Sequence, residues 1–463
     1  MFNAEVYLKR RNSLRKNLSG GIALVLGNSE SPMNYPANTF HFRQDSNFLY
    51  FFGLDFPDLA GVMDIDNNMD IIFGNDVDIN DIIWMGDQPT LKERAQHCGV
   101  TNTQPFAKLT DYISDAVKKG RKIHFLPPYR AENKILLESL LGIKASIVRD
   151  SASVEFIKAV VNLRSMKEAV EIEEMERASA IGYNMQVKAM RMAKPGRIEQ
   201  LIAGTIEGIT YAEGAMYSFP VILSQNGQIL HNHSHDQILT EGRLMLCDCG
   251  AESLMHYASD HTRTTPVGGK FSTRQREIYE IVLATNNAAM NTAKPGLTYQ
   301  QVHLMACKVI AEGLINLGIM KGNAEEAVHA GAHALFMPHG LGHMIGLDVH
   351  DMEDLGQNYV GYNDETQPAT QFGLASLRMG RKLQPGFTVT NEPGIYFIPA
   401  LIDLWKKENK HTQFINYEKI ETYKDFGGIR LEDMLLITDT GCRLIGKRPP
   451  ITIAEVEAIA ATE

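Results

Sequence analysis

Positive charge is in short supply. Lysine and arginine number 45 against 55 acidic residues in 463, a formal net charge of −10 with a pI near 5.9. A nucleic-acid binder needs a basic face to neutralise phosphates, so that class is excluded. Cysteine is scarce too: there are five, odd in number and without framework spacing, which points to reduced thiols. No uninterrupted apolar run reaches membrane-spanning length, and the start, M-F-N-A-E-V-Y-L-K-R-R, lacks the apolar core of a secretory signal. The expectation is a cytoplasmic protein without membrane contact. Residues 1 to about 160 contain neither G-x-G-x-x-G nor G-K-[ST], so no nucleotide loop is offered, and the zinc-protease pattern H-E-x-x-H is absent. What remains is an ordinary globular composition, 44% apolar and 22% charged, with enough chain for two or three domains.

Residues 1–160 alternate short apolar runs with helical patterns and read as an α/β domain. Strands are expected at Ile22–Leu26, Met69–Phe73, Ile82–Trp84, Ile123–Leu126 and Ala145–Val148, with helices near Thr90–His97, Leu109–Lys118 and Ala131–Leu140. The aromatic stretch Phe42–Gly53 reads as a core strand with a charged edge. Residues 161–463 have a different texture. Ser165 and Glu168 form a capping box ahead of a long amphipathic run to about Met192. Ala193-Lys194-Pro195-Gly196 stops that run and recurs one hundred positions later as Ala293-Lys294-Pro295-Gly296. A second helical pattern follows each stop, the later one capped by Thr298 and Gln301, and β-like sequence follows each helix pair. This is an internal duplication: one α+β domain of two related halves, with a site where they meet. Two extra stretches, about Gln357–Met379 and Pro399–Tyr423, read as surface loops beside the site.

The segment Pro338–Asp351, P-H-G-L-G-H-M-I-G-L-D-V-H-D, concentrates His339, His343 and His350 among three glycines. One such histidine would ordinarily satisfy a turn; three at this density favour a metal or catalytic site. Asp248 lies in the apolar strand Leu244–Gly250, where a carboxylate is costly unless paired or metal-bound. Asp260 follows in the next strand, and a hairpin would aim both at one point; taken alone, Asp260 would pair with Arg263. Cys247 and Cys249 flank Asp248 at period two and read as core. Glu392 sits in T-N-E-P-G-I-Y, and Glu432 in G-I-R-L-E-D-M-L-L-I, where Arg430 and Glu432 share a face and Asp433 points away. Four converging carboxylates would force protonation unless cations balance them. Two divalent ions would do so, and an oxygen-rich set with one imidazole favours Mn²⁺, with Co²⁺, Fe²⁺ or Zn²⁺ also suited.

In this order, C-D-C-G, S-D-H-T-R-T, H-G-L-G-H-x-x-G-L-D-V-H-D, N-E-P-G-I-Y and I-R-L-E-D resemble the pita-bread-fold metallopeptidases, the family of methionine aminopeptidase, aminopeptidase P and prolidase. The resemblance spans about residues 160–450. R-R-N-S-L and F-R-Q-D-S-N-F-L-Y-F-F-G further resemble the extra amino-terminal domain of aminopeptidase P and prolidase. The resemblance implies a pita-bread (creatinase/aminopeptidase) catalytic domain of two pseudo-symmetric halves, preceded by a smaller α/β domain. It implies that Asp248 and His343 are terminal ligands of different metals, that Glu392 joins His343, and that Asp260 and Glu432 bridge. Glu392 would also relay the proton, His231 and His350 would hold substrate, and His339 would line the pocket. Tyr396 and Arg430 match supporting groups, and Trp84 resembles an aromatic that reaches a neighbouring subunit's site, which implies a homodimer or homotetramer. Asp248 and Asp260 stand twelve apart, one more than the family pattern, so the turn between them is expected to differ.

The activity so implied is release of an N-terminal residue from proline, a bond whose tertiary amide has no N–H for an ordinary protease to hold. Aminopeptidase P is preferred on the amino-terminal motifs, with prolidase, confined to dipeptides, as the alternative. A non-catalytic binding module and a creatinase-like hydrolase without metal are disfavoured, because all five ligand positions are filled.

Overall fold

The computed structural model describes residues 1–462, which divide into two units: Met1–Arg164 with Met352–Tyr359, and Ser165–Asp351 with the chain from Val360 onward. In the first unit, β-branched runs build a five-stranded sheet in the order Asn102–Pro105, Met69–Gly74, Ala60–Asp64, Ile22–Leu26, Ile123–Phe125. Ile22–Leu26 runs antiparallel to Ala60–Asp64 and parallel to Ile123–Phe125. Helices Lys108–Lys118 and Ala131–Leu141 bury Leu109, Ile113, Leu137 and Leu140 against Ile22, Leu24, Val62 and Ile71.

Three local expectations fail here. The aromatic stretch is not a strand but the helix Ser46–Phe52, whose seven residues are all buried; the Asp45 carboxylate accepts from the N–H groups of Asn47 and Phe48, and Gly53 closes it at φ 64°. A run buried on every side carries no period, so its caps decide its form. Ile82–Trp84 lies in the helix Ile79–Met85, started by an Asp78–Asp81 capping box and burying none of its residues. Ala145–Val148 forms turns ahead of the 3₁₀ segment Arg149–Ser151.

The second unit repeats helix, turn, helix, strands. Ala169–Met192 and Glu199–Ala212 flank one K-P-G turn, Thr273–Thr292 and Tyr299–Asn316 the other. Gly196 and Gly296 end these turns at φ 80° and 88°, a conformation that favours glycine. The Thr298–Gln301 box forms, but Ser165 ends the helix Val154–Ser165 and the capping box passes to Glu168 and Glu171. In the first half Ile222–Ser224, Leu244–Cys249 and His261–Pro266 make one sheet. In the second, Thr388–Asn391 pairs with Asp433–Ile437, and Gly394–Tyr396 with Gly428–Arg430. Met185, Ala189, Ile202 and Ile206 pack under Leu223, Met245, Cys247 and Cys249, so both cysteines are core. Within the stretch expected to be loop, Pro399–Lys407 and Tyr417–Glu421 are helical. Among the described residues no helix is long and apolar enough to cross a membrane.

Arg263, fully buried, ties the two halves' strands together. It donates to the Thr262, Glu432, Pro449 and Pro450 carbonyls and to Asp433 Oδ1 at 2.7 Å. Replacing it by methionine strands several buried acceptors, and removing one partner of a buried pair costs about 3–5 kcal/mol. Arg263→Met is therefore expected to lower the urea midpoint sharply; an unchanged midpoint would show the cluster to be dispensable.

Candidate metal centre

Strand ends from both halves open on one cavity of about 440 Å³, lined by His231, Asp248, Asp260, His339, His343, His350, Arg378, Glu392, Arg430 and Glu432 among others. Pairing of Leu244–Cys249 with His261–Pro266 sets Asp248 opposite Thr262. Asp260 stands just ahead of the second strand, where the backbones close up: a Cβ on Gly250 would lie 1.8 Å from the Ser259 carbonyl oxygen. Only glycine fits there. Between Asp248 and Asp260 the chain forms the short strand Ala251–Glu252 and turns at His256, whose φ is 66°. Asp260 does not pair with Arg263, which faces Asp433; its Oδ2 lies 3.6 Å from His343 Nε2.

The H-G-L-G-H segment runs antiparallel to Thr388–Asn391. The His343 N–H donates to Thr390 Oγ1 (3.1 Å), the Thr390 N–H to the His343 carbonyl (2.9 Å), and the Glu392 N–H to the Leu341 carbonyl (2.9 Å). A Cβ on Gly342 would sit 2.1 Å from the Thr390 carbonyl oxygen, so this glycine lets the two segments touch. His343 Nε2 thereby comes within 3.8 Å of Glu392 Oε1, while its Nδ1 rests 2.9 Å from the Met344 carbonyl and fixes the ring. The run G-I-R-L-E-D-M-L-L-I is not one strand but two, Gly428–Arg430 and Asp433–Ile437, broken at Leu431-Glu432, where the Glu432 N–H donates to the Thr262 carbonyl (3.0 Å). Arg430 and Glu432 still reach the cavity, and Asp433 turns away to Arg263 and Arg448.

Arg430 spans the site. Its Nη2 donates to Asp248 Oδ2 (2.6 Å), its Nη1 to the Tyr396 hydroxyl (2.8 Å) and its Nε to Thr262 Oγ1 (3.2 Å). Thr262 in turn donates to Glu432 Oε2 (2.7 Å), and Tyr396 to His339 Nε2 (2.9 Å). Arg378 Nη1 donates to His350 Nδ1 (2.8 Å), and His231 lies exposed at the rim. Trp84 belongs to the other unit, 85% exposed, and does not line this cavity.

Four participants escaped sequence reasoning. Thr262 and Thr390 read as ordinary strand threonines. Arg378 sits in a stretch whose sequence carries no period. Asn286 lies mid-helix, yet its Nδ2 donates to the Asn391 and Leu431 carbonyls (3.1 and 3.0 Å), pinning the residues ahead of both glutamates. A polar asparagine inside an amphipathic run was the available signal.

The charges conflict as they stand. Burial, and next the Asp248 carboxylate, raise Asp260 to about 7. Burial and then Asp260 push Glu432 well up, and burial raises Glu392. Burial acts to lower His343, but its bond to Asp260 and the field of Glu392 outweigh that and lift it to about 9. Burial, aided by Arg430, takes His339 down to about 3; burial, aided by His343, takes His350 to about 2. Asp248 Oδ1 and Asp260 Oδ1 are buried with no hydrogen-bond partner, and donor atoms of Asp260, His343 and Glu432 lie within 4.8 Å of one another. Orphaned carboxylate oxygens around one imidazole are what divalent cations need, so the residues fit that role.

The profile of metallopeptidase family M24 matches residues 173–439, and that of the aminopeptidase P N-terminal domain matches 7–124. The chain is 31% identical to the Homo sapiens Xaa-Pro dipeptidase, over 97% of this chain and 91% of that one. It is 28% identical to the Escherichia coli Xaa-Pro aminopeptidase, over 94% and 92%. Zinc-substituted Escherichia coli aminopeptidase P in complex with product superposes with a TM-score of 0.82 at 28% identity, covering 100% of both chains.

A cation must displace protons from these groups. With Asp260 near 7, its carboxyl is protonated below that pH and ionised above it, while His343, near 9, carries a proton on either side. Calorimetry in buffers of different ionisation heat is therefore expected to show more protons released by Mn²⁺ at about pH 6 than at about pH 8. Equal release at both would show Asp260 to be ionised throughout.

Proposed function

The chain belongs to metallopeptidase family M24, in its aminopeptidase P and prolidase branch with the pita-bread fold, and on that premise we propose that it hydrolyses the bond between an N-terminal residue and a following proline. The observation that carries this reading is the convergence of Asp248, Asp260, His343, Glu392 and Glu432 on one cavity rimmed by neutral imidazoles. These five residues, Asp248, Asp260, His343, Glu392 and Glu432, would hold two divalent cations, Mn²⁺ foremost and Co²⁺, Fe²⁺ or Zn²⁺ as substitutes. Bound there, the ions supply Lewis acidity towards the peptide carbonyl and the attacking water.

The side chains do the rest. Glu392 takes the proton of the attacking water and returns it to the proline nitrogen, so no N–H on the scissile bond is needed. His350 accepts from Arg378 at Nδ1, which leaves its Nε2 to donate to substrate oxygen. His231, at the rim, offers a second such donor, and partial desolvation by the cavity wall, with help from Arg430, lowers its affinity for a second proton. His339 is oriented by the Tyr396 hydroxyl and lines the pocket wall. The helix Ile79–Met85, with Ile83 and Trp84 exposed, supports a homodimer or homotetramer. Five free thiols suit a reducing compartment, the cytoplasm.

Glu392→Gln keeps the side-chain volume and removes the base. It is expected to fold, by an unshifted thermal melt, and to lose roughly 10²–10⁴-fold in kcat. Turnover near the wild-type value would reassign Glu392 to a structural role.

Length selectivity separates two readings. The amino-terminal motifs, which resemble those of aminopeptidase P, favour acceptance of longer peptides. Arg378 favours the dipeptidase as a second reading, because a guanidinium beside His350 in the cavity suits the carboxylate of a terminal proline. Steady-state kinetics on X-Pro, X-Pro-Y and longer peptides in Mn²⁺ decide between them. Tripeptides and longer chains are expected at rates matching or exceeding the dipeptide; hydrolysis confined to X-Pro would establish the dipeptidase.

A further inference from the structure

A second set of donors lies outside the catalytic cavity. His303 and Cys307 stand one turn apart on the helix Tyr299–Asn316, and His333 faces them from the 3₁₀ segment Ala332–Leu335. All three are buried, and a donor atom from each lies within 4.8 Å of the others. Cys307 Sγ is 3.4 Å from His303 Nε2, close to the edge of a tetrahedron whose bonds are about 2.0–2.3 Å. The two imidazoles face each other at 6.3 Å between centroids, tilted by 69°.

Their hydrogen bonding is incomplete. His303 and His333 have no exposed surface, yet His303 Nδ1 and both nitrogens of His333 lack a partner. The Val328 backbone acts to raise the proton affinity of the His333 ring against burial, yet neither ring nitrogen makes a hydrogen bond. Each such orphan loses its hydration without a replacement, and three in one cluster call for a ligand. Burial keeps both rings neutral, His303 near 3 and His333 near 4, so their lone pairs are available.

We propose that His303, Cys307 and His333 form a separate, structural cation site for a thiophilic divalent ion, Zn²⁺. One thiolate and two imidazoles suit a borderline-soft ion, whereas the carboxylate-rich catalytic set suits harder ones. On binding, the Cys307 thiol releases its proton to solvent, a sulfur–metal bond forms, and no electron moves. The ion would brace what the catalytic centre rests on. The His333 carbonyl accepts from the N–H groups of Phe336 and Met337, and the Phe336 carbonyl from that of Tyr396. On the same helix the Tyr299 hydroxyl donates to the Thr390 carbonyl. The site thus joins the helix to the segment that runs on to His339 and His343.

Cobalt distinguishes this site from the catalytic one, because a thiolate gives Co²⁺ a near-ultraviolet charge-transfer band that carboxylates and imidazoles do not. The full-length chain, stripped of metal and titrated with Co²⁺, is expected to develop that band at one equivalent per chain and to lose it when Zn²⁺ is added. Cys307→Ser should abolish the band, and Cys247→Ser, which alters the other buried thiol cluster, should leave it. His333→Gln should weaken cobalt binding at this band on the order of 10–100-fold. No band in the wild type, or a band that survives in Cys307→Ser, would overturn the proposal. Should Cys307→Ser fail to fold, the wild-type band with its retention in Cys247→Ser and weakening in His333→Gln decides the matter.

Discussion

Mutual repulsion among Asp248, Asp260, Glu392 and Glu432 is the constraint on which the rest of the catalytic unit depends, because all four line one cavity, where burial works against the ionisation of Asp260, Glu392 and Glu432. Compensation is built in from several sides. Arg430 answers Asp248 directly and reaches Glu432 through Thr262. His343 answers Asp260 and Glu392. Two carboxylate oxygens still have no partner. A site that only needed stability would have satisfied them, since an apolar replacement of similar volume is often neutral or better. The residual imbalance is therefore a property suited to cation loading.

Holding repelling groups in place takes backbone, not only side chains. Each half contributes carboxylates from positions next to a strand end, and the second half adds the histidine from a glycine-rich segment laid along Thr388–Asn391. Gly250 and Gly342 allow close backbone approach where any Cβ would collide. Asn286 then locks the carbonyls of Asn391 and Leu431, immediately ahead of Glu392 and Glu432. Glutamates anchored through the preceding peptide have little freedom to swing apart, so repulsion raises their proton affinity and does not open the cavity.

How much of this the sequence disclosed follows from where the information lies. The duplicated K-P-G turns, the metal-type carboxylates and the histidine-glycine segment are local patterns, and they could be read as such. Caps were readable too, yet at Asp45 and Gly53 they lost to an aromatic run that looked like a core strand. Ile82–Trp84 misled for the opposite reason: three apolar residues in a helix with no buried face mimic a short strand. Arg378 was beyond reach, because its place beside His350 depends on the path of an insertion whose sequence has no period.

The proton arrangement around the cavity follows from the same frame. Tyr396 accepts from Arg430 and so must point its own proton at His339 Nε2, whose other nitrogen faces the Gly340 carbonyl. His339 is thus fixed in one tautomer, neutral, with no further charge brought near Arg430. His350 is fixed likewise, since Arg378 can only donate and occupies Nδ1. His350, its proton on Nε2 and its ring fixed, can meet a substrate oxygen without reorganising, and a pre-set donor is the condition under which hydrogen bonds to developing charge are most effective, while His339 keeps its proton on the Gly340 carbonyl. The cationic side chains that relieve the carboxylates therefore also set the direction of the neutral ones, so disturbing Arg430 would affect both the charge balance and the orientation of the pocket wall.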